Sequence, residues 1–236
     1  MKQLDKYSNI DFTTANLVYD GTNYFVVLTC YIDKEVNNYN KENICGIDMG
    51  VSTSITLSNG TKYDISIGES ERLKRLQAQL SRKKKGSNNK YKTIKKIRKE
   101  YNYISNRKND ISNKIVSKLL KEYNVIVLQD EQISKWRQDG FSGTKIQHSV
   151  LGRIKSKLIQ SDNVIILDKW FPTPKYCNKC GNKVELKLTD RTFECPICKE
   201  KEDRDIHAAN NMILFYLQYI NLLDEPGTDY TSIKSL

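Results

Sequence analysis

The chain changes its hydrophobic period several times, and each change marks an element. Residues 11–33 alternate as a half-buried strand does. Residues 17–19, the turn Asp20-Gly21-Thr22-Asn23 and residues 24–28 predict two strands around a turn. Residues 34–42 are polar and read as a linker. Short apolar strands are expected at 44–48, 53–57 and 62–67, with Ser58-Asn59-Gly60 as the turn before the third. From 70 to 122 the period lengthens. Leu73, Leu76 and Leu80, then Ile94, Ile97, Tyr101 and Ile104, then Ile111, Ile115 and Leu119 recur at helical spacing. That stripe predicts one or two long amphipathic helices, broken near Gly86-Ser87-Asn88-Asn89. Further on, 125–128 predicts a strand, 146–160 a helix with Val150, Leu151, Ile154 and Leu158 inward, and 164–167 another strand. A cysteine-rich insert at 173–202 precedes a closing helix at 206–223, and the tail 224–236 reads as disordered. The core order is thus β-β-β-α-β-α-β-α, a mixed α/β class.

Charge adds a partner to this picture. The net charge is +11, but it is not spread evenly. Residues 71–120 hold 17 basic and 3 acidic side chains, and the remainder of the chain is slightly acidic. Excess lysine on a solvated face would be spread out, whereas a local concentration points to a polyanion. Arg82-Lys83-Lys84-Lys85 lies at the helix break and is the expected phosphate contact, with Lys95 and Lys96 in the same segment. The apolar stripe itself is core packing. No run of about 18 apolar residues occurs, and the start MKQLDKYSNIDF has no apolar signal region, so a cytoplasmic, reducing setting is expected.

In that setting cysteines bind metal more often than they cross-link. Cys177-Asn178-Lys179-Cys180 and Cys195-Pro196-Ile197-Cys198 are two C-x-x-C knuckles with 14 residues between them. Each knuckle offers two thiolates, and the pair closes a tetrahedral sulfur shell around a structural zinc ion. Residues 184–188 and 191–194 read as the hairpin strands between them, and Gly181 supplies a permissive turn. Cys30 and Cys45 have no partner pattern and are expected in the core.

Acidic residues recur at element ends. Asp48 ends an apolar strand in Gly46-Ile47-Asp48-Met49-Gly50. Asp130 and Glu131 follow the later strand. Asp205, in Asp203-Arg204-Asp205, begins the last helix and is expected to cap it, with Ala208 and Ala209 allowing close packing. Singly, such residues are surface or capping groups. Together, two strand ends and a helix start supply what two-metal phosphodiester hydrolysis needs, holding two Mg²⁺ or Mn²⁺ ions roughly 4 Å apart.

Five blocks carry a resemblance to a family: Gly46-Ile47-Asp48-Met49-Gly50; Gln129-Asp130-Glu131-Gln132-Ile133-Ser134-Lys135-Trp136; the segment from Lys145 to Lys155; Trp170-Phe171-Pro172-Thr173-Pro174; and Asp203-Arg204-Asp205 with Ala208-Ala209-Asn210. In this order they resemble the TnpB (OrfB) proteins of insertion sequences, which are similar to compact type V CRISPR effectors. The resemblance implies an RNase H-like, RuvC-type mixed sheet with helices and a zinc ribbon inserted before the last acid. It divides the chain into a β remnant of an N-terminal barrel at 1–40, a nuclease core at 41–172 with a basic helical insertion at 70–122, the ribbon at 173–202, a final motif and helix at 203–223, and the tail. It implies an RNA-guided, Mg²⁺-dependent DNA endonuclease of a transposable element, with guide RNA and target DNA as partners. Two departures stand beside it. Family members are usually longer at the N-terminus, so the alternative is a truncated or nuclease-dead relic that only binds nucleic acid. Many members also carry the middle acid where Gln129 stands. Glu131, two residues on and on the same face of a strand, is assigned that place.

Overall fold

A computed structural model describes residues 10–32, 42–51, 53–136, 143–171, 173–187 and 189–224. Residues 34–41 of the expected linker and 225–236 of the expected tail lie outside the described residues. The chain divides into two compact units, one of residues 1–38 with 68–108, the other of 39–67 with 109–236.

In the first unit, β1 (Ile10–Tyr19) and β2 (Tyr24–Ile32) form an antiparallel hairpin. Asp20 makes its turn: Oδ1 accepts from the amides of Thr22 and Asn23 at 2.7 and 2.8 Å, and Gly21 supplies φ +89°. The same carboxylate accepts from Asn102 Nδ2 at 3.1 Å, which docks the turn on the helical part of the unit. Helix α1 (Glu71–Ser81) starts at Ser70, whose hydroxyl caps the Leu73 amide and donates to Glu100. Leu73 and Leu76 pack against Ile97 of α2 (Asn88–Glu122), with Leu80 and Ile104 at the edge. The helix break falls where the stripe stops, and Arg82 to Lys85 are exposed between α1 and α2.

The second unit is built on a five-stranded sheet. Its strands are β3 (Ile44–Met49), β4 (Ile55–Leu57), β5 (Lys62–Tyr63), β6 (Val125–Gln129) and β7 (Val164–Leu167), in the order β5-β4-β3-β6-β7. The pairs β3-β6 and β6-β7 are parallel, whereas β3-β4 and β4-β5 are antiparallel. All five residues of β6 are buried, as a strand covered on both faces requires. On one face, Val125, Val127 and Leu167 pack with Met212 and Tyr216 of the closing helix α6 (Arg204–Asp224). Short helices α3 (Ile133–Trp136), α4 (Gly143–His148) and α5 (Leu151–Leu158) link β6 to β7.

In the sheet and its crossover, two elements differ from the sequence pattern. The helix expected over 146–160 is divided, because Ser149 leaves it to bridge Ser66 and the Ile67 amide donates to His148 O at 2.8 Å. That pairing also takes up the second half of the strand expected at 62–67. Cys45 is fully buried as expected, but Cys30, in the hairpin, is only partly so. Among the described residues no helix is long and apolar enough to cross a membrane.

Candidate functional site

The acids come together because α6 can lie close on β3. A Cβ at Gly46 would sit 1.8 Å from the carbonyl oxygen of Ala209, so only glycine fits there. Asp48 lies two residues beyond Gly46 on the strand and Asp205 one helical turn before Ala209. Both offsets amount to roughly 6 Å, which brings the two carboxylates level. Asp48, Glu131 and Asp205 line one pocket of about 380 Å³, together with Gln129, Trp136, Thr173, Arg191 and Arg204. Burial, then the charges of Asp205 and Glu131, push the Asp48 pKa up to about 7, with Arg204 opposing. Burial also raises Glu131, against the pull of Lys155. A carboxylate raised this far above its ordinary range by burial and by two like-charged neighbours is a fit for a divalent cation.

Around β6 the structure separates three neighbouring side chains. Asp130 turns to Lys155, whose Nζ lies 2.8 Å from its carboxylate and 2.6 Å from the Glu131 carbonyl oxygen. Glu131 faces the pocket, but not as a strand residue: β6 ends at Gln129, and a turn with the Glu131 amide on Gln129 O carries the acid inward. The same-face argument from strand alternation therefore does not apply. Gln129 also lines the pocket, yet its amide is engaged. Nε2 donates to the carbonyls of Asp168, Lys169 and Phe171 at 3.2, 3.0 and 2.7 Å, and Oε1 accepts from Thr173. A glutamate at 129 would face three carbonyl oxygens with no proton to give them.

Asp205 does not cap α6. Asp203 does, with Oδ1 accepting from the amides of Asp205 and Ile206 at 3.1 and 3.3 Å. Asp203 Oδ2 is held by Lys62 at 2.7 Å. Burial opposes its ionisation, but the Lys62 and backbone hydrogen bonds hold its pKa below the usual carboxylate range. With capping assigned to Asp203, the Asp205 carboxylate is left for the pocket.

The four cysteines meet in a second cluster. Their sulfurs lie within 4.8 Å of one another, with Cys177–Cys198 at 3.4 Å and Cys180–Cys195 at 3.5 Å. Bonds of about 2.3 Å to a tetrahedral ion set sulfurs roughly 3.8 Å apart, so the cluster suits a metal ion. Backbone amides of Cys198 and Ile197 help lower the Cys195 pKa to about 6. The knuckles are alike: the amides of Gly181 and Lys199 return to the carbonyls of Cys177 and Cys195, and both residues take positive φ. The expected hairpin is corrected. Its strands are β8 (Thr192–Glu194) and β9 (Lys201–Asp203), while Val184 and Leu186 pack on Cys177, Phe193 and Cys195.

His207, which no spacing in the sequence singles out, packs the start of α6 on the ribbon. It is fully buried, stacked 3.7 Å from Phe193, with Nδ1 3.1 Å from Glu202 and Nε2 2.7 Å from Tyr176 O. Its place two residues after Asp205, on the face turned to the ribbon, was the available signal. Arg204 reaches the pocket from the first position of α6, and Arg191 from just before β8, where no spacing rule brings a hairpin arginine to an acid. The basic residues Arg82, Lys83, Lys84, Lys85, Lys95 and Lys96 all lie exposed in the other unit.

Antiparallel β3-β4-β5 beside parallel β3-β6-β7, with an acid on β3 and another at the start of α6, defines an RNase H-like domain with an acidic pocket and a four-cysteine ribbon. A family model described as "Probable transposase", OrfB_IS605, matches residues 28–137, and a second, "Cas12f1-like, TNB domain", matches 150–212. The chain belongs to the TnpB (OrfB) family of insertion-sequence proteins. A "Putative RNA-guided DNA endonuclease" of Streptomyces pristinaespiralis is 30% identical over 177 residues, covering 71% of this chain and 44% of that protein. The "Putative RNA-guided DNA endonuclease InsQ" of Escherichia coli (strain K12) is 29% identical over 196 residues, covering 71% and 48%. A cryo-EM structure of a Cas12f1–sgRNA–target DNA complex shares the fold, with TM-score 0.51 and 20% identity over 80% of this chain and 42% of that one. The chain spans less than half the length of the curated relatives it matches.

Proposed function

We propose that this chain carries the nuclease centre of an RNA-guided, divalent-metal-dependent DNA endonuclease encoded by an insertion sequence. The observation that carries the reading is the pocket shared by Asp48, Glu131 and Asp205, with the Asp48 pKa raised by burial and then by its acidic neighbours. These three carboxylates hold Mg²⁺ or Mn²⁺. When bound there, such ions would supply an activated water and a stabilised leaving oxygen. Asp203 frees Asp205 by capping the helix, Lys155 fixes the turn that presents Glu131, and Arg191 and Arg204 bring positive charge to where the phosphodiester lies. Cys177, Cys180, Cys195 and Cys198 hold a structural Zn²⁺, and a closed sulfur shell leaves it no coordination site for catalysis. The basic run Arg82 to Lys85, with Lys95 and Lys96, contacts the phosphates of guide RNA or target DNA. Segment 1–40 serves as part of the guide-holding region, 41–172 and 203–223 as the nuclease core, and 173–202 as the zinc ribbon.

The test supplies Mg²⁺, a transcript overlapping the 3′ end of the encoding locus as guide, and matching DNA. Cleavage is expected from the wild type. Asp48→Asn, Glu131→Gln and Asp205→Asn each lose at least a hundredfold in rate with binding retained, and metal analysis finds about one zinc per chain. Binding without cleavage by the wild type would leave a nucleic-acid-binding protein instead.

A further inference from the structure

The chain has two tryptophans, and one lies in the open. Trp136 lines the acid pocket. Trp170 projects from the turn after β7 and is 79% exposed. That turn is fixed from several sides. Gln129 donates to its carbonyls at Asp168, Lys169 and Phe171. Asp168 Oδ1 accepts from the Trp170 amide at 2.8 Å, and the Phe171 ring turns inward onto Phe215 at 5.3 Å. Lys169 Nζ lies 4.8 Å from the Trp170 ring centroid, so one face of the indole carries a cation and the other meets solvent. Two residues that anchor the turn, Gln129 and Thr173, also line the acid pocket.

A lone exposed apolar side chain is ordinary. This one differs in being held on a pinned backbone, paired with an ammonium group, and carried on a turn anchored by Gln129 and Thr173 of the acid pocket. A protein partner would want apolar neighbours around the indole, whereas here Asp168 and Lys169 precede it and the next residue, Phe171, turns its ring inward. An open π face stacks on any unpaired base, and the adjacent cation meets its phosphate. The pinned turn has already given up the freedom that stacking would otherwise cost. We propose that Trp170 and Lys169 form a stacking platform for an unpaired nucleobase of a strand that runs past the acid pocket. The proposal rests on the nuclease reading above.

Indole fluorescence tests it without divalent ions, so that binding is read apart from cleavage. In a Trp136→Phe protein, Trp170 is the sole indole. Short oligo(dT) should quench its emission saturably, and an abasic strand of equal length should not. By anisotropy of a labelled strand, Trp170→Ala should weaken binding roughly 5- to 100-fold. Trp170→Phe should retain most of the affinity, which separates stacking from a folding defect. Oligo(dT) binding with unchanged Trp170 emission, or with equal affinity for Trp170→Ala, overturns the platform and leaves the nuclease reading standing. Failure of the wild type to bind any strand overturns both.

Discussion

Burial, with Asp205 and Glu131 close by, works against the charged form of Asp48. Its pKa in the folded chain is about 7, against about 3.9 when unfolded. The folded protein therefore binds an extra proton between about pH 4 and pH 7. Its metal-free stability is favoured at the acidic end of that window, and the penalty becomes complete as pH rises through 7. Asp48→Asn should accordingly stabilise the metal-free protein at about pH 8 by ~1–3 kcal/mol, and by much less near pH 4.5. Urea unfolding with chelator at the two pH values measures this, and equal stabilisation at both would contradict it. The candidate acids were legible because element ends show in a hydrophobic pattern. The roles of their neighbours were not: Asp130 and Glu131 are adjacent in sequence, and only Lys155, brought back on α5, separates an ion-paired surface acid from a pocket acid. Gln129 looked like a lost acid, but carbonyls some forty residues away give the amide its use.

Among the elements, the packing of α6 on β3 has the least tolerance. A Cβ at position 46 meets backbone, at 1.8 Å from Ala209 O, and no side chain can swing aside to admit it. Gly46→Ala should cost about 3 kcal/mol or more. It should also weaken divalent-ion binding, because the displaced helix carries Asp205. Thermal unfolding and Mn²⁺ titration check the two effects, and a variant within ~0.5 kcal/mol of wild type would refute the close packing. The pairing of Gly-Ile-Asp with an Ala-Ala helix start could be read from sequence as small residues near acids. Strand β9 could not: Lys201-Glu202-Asp203 has no strand propensity, and pairing with Thr192–Glu194 across the second knuckle makes it a strand. The break at Ser149 was hidden for the opposite reason, since the apolar stripe runs on without a gap.

At the scale of the molecule, charge is concentrated in one unit and carboxylates in the other. Binding of RNA or DNA should weaken steeply with salt, because each phosphate contact releases counterions. Replacing Arg82, Lys83, Lys84 and Lys85 together by alanine should lower affinity and flatten the log–log salt slope by up to about 3. Fluorescence anisotropy from low to moderate salt reads both, and an unchanged slope would make the run a solvated face. The sequence showed the hairpin and the basic helices as separate stretches. What groups them into one unit is polar and local to the turn, Asn102 reaching Asp20 and Thr22, and no periodicity announces such contacts. The direct passage of β9 into α6, with Asp203 ending one and Arg204 beginning the other, also sets where the chain tolerates a change of length. Residues added to the loop between the two knuckles only lengthen an excursion that returns to the same place. A single residue added at the junction would advance the helix by about 100°, swinging Asp205 away from Asp48 and Ala209 away from Gly46. The ribbon thus acts as the gear that sets the rotational phase of the last acid, and its spacing to that acid is fixed to the residue.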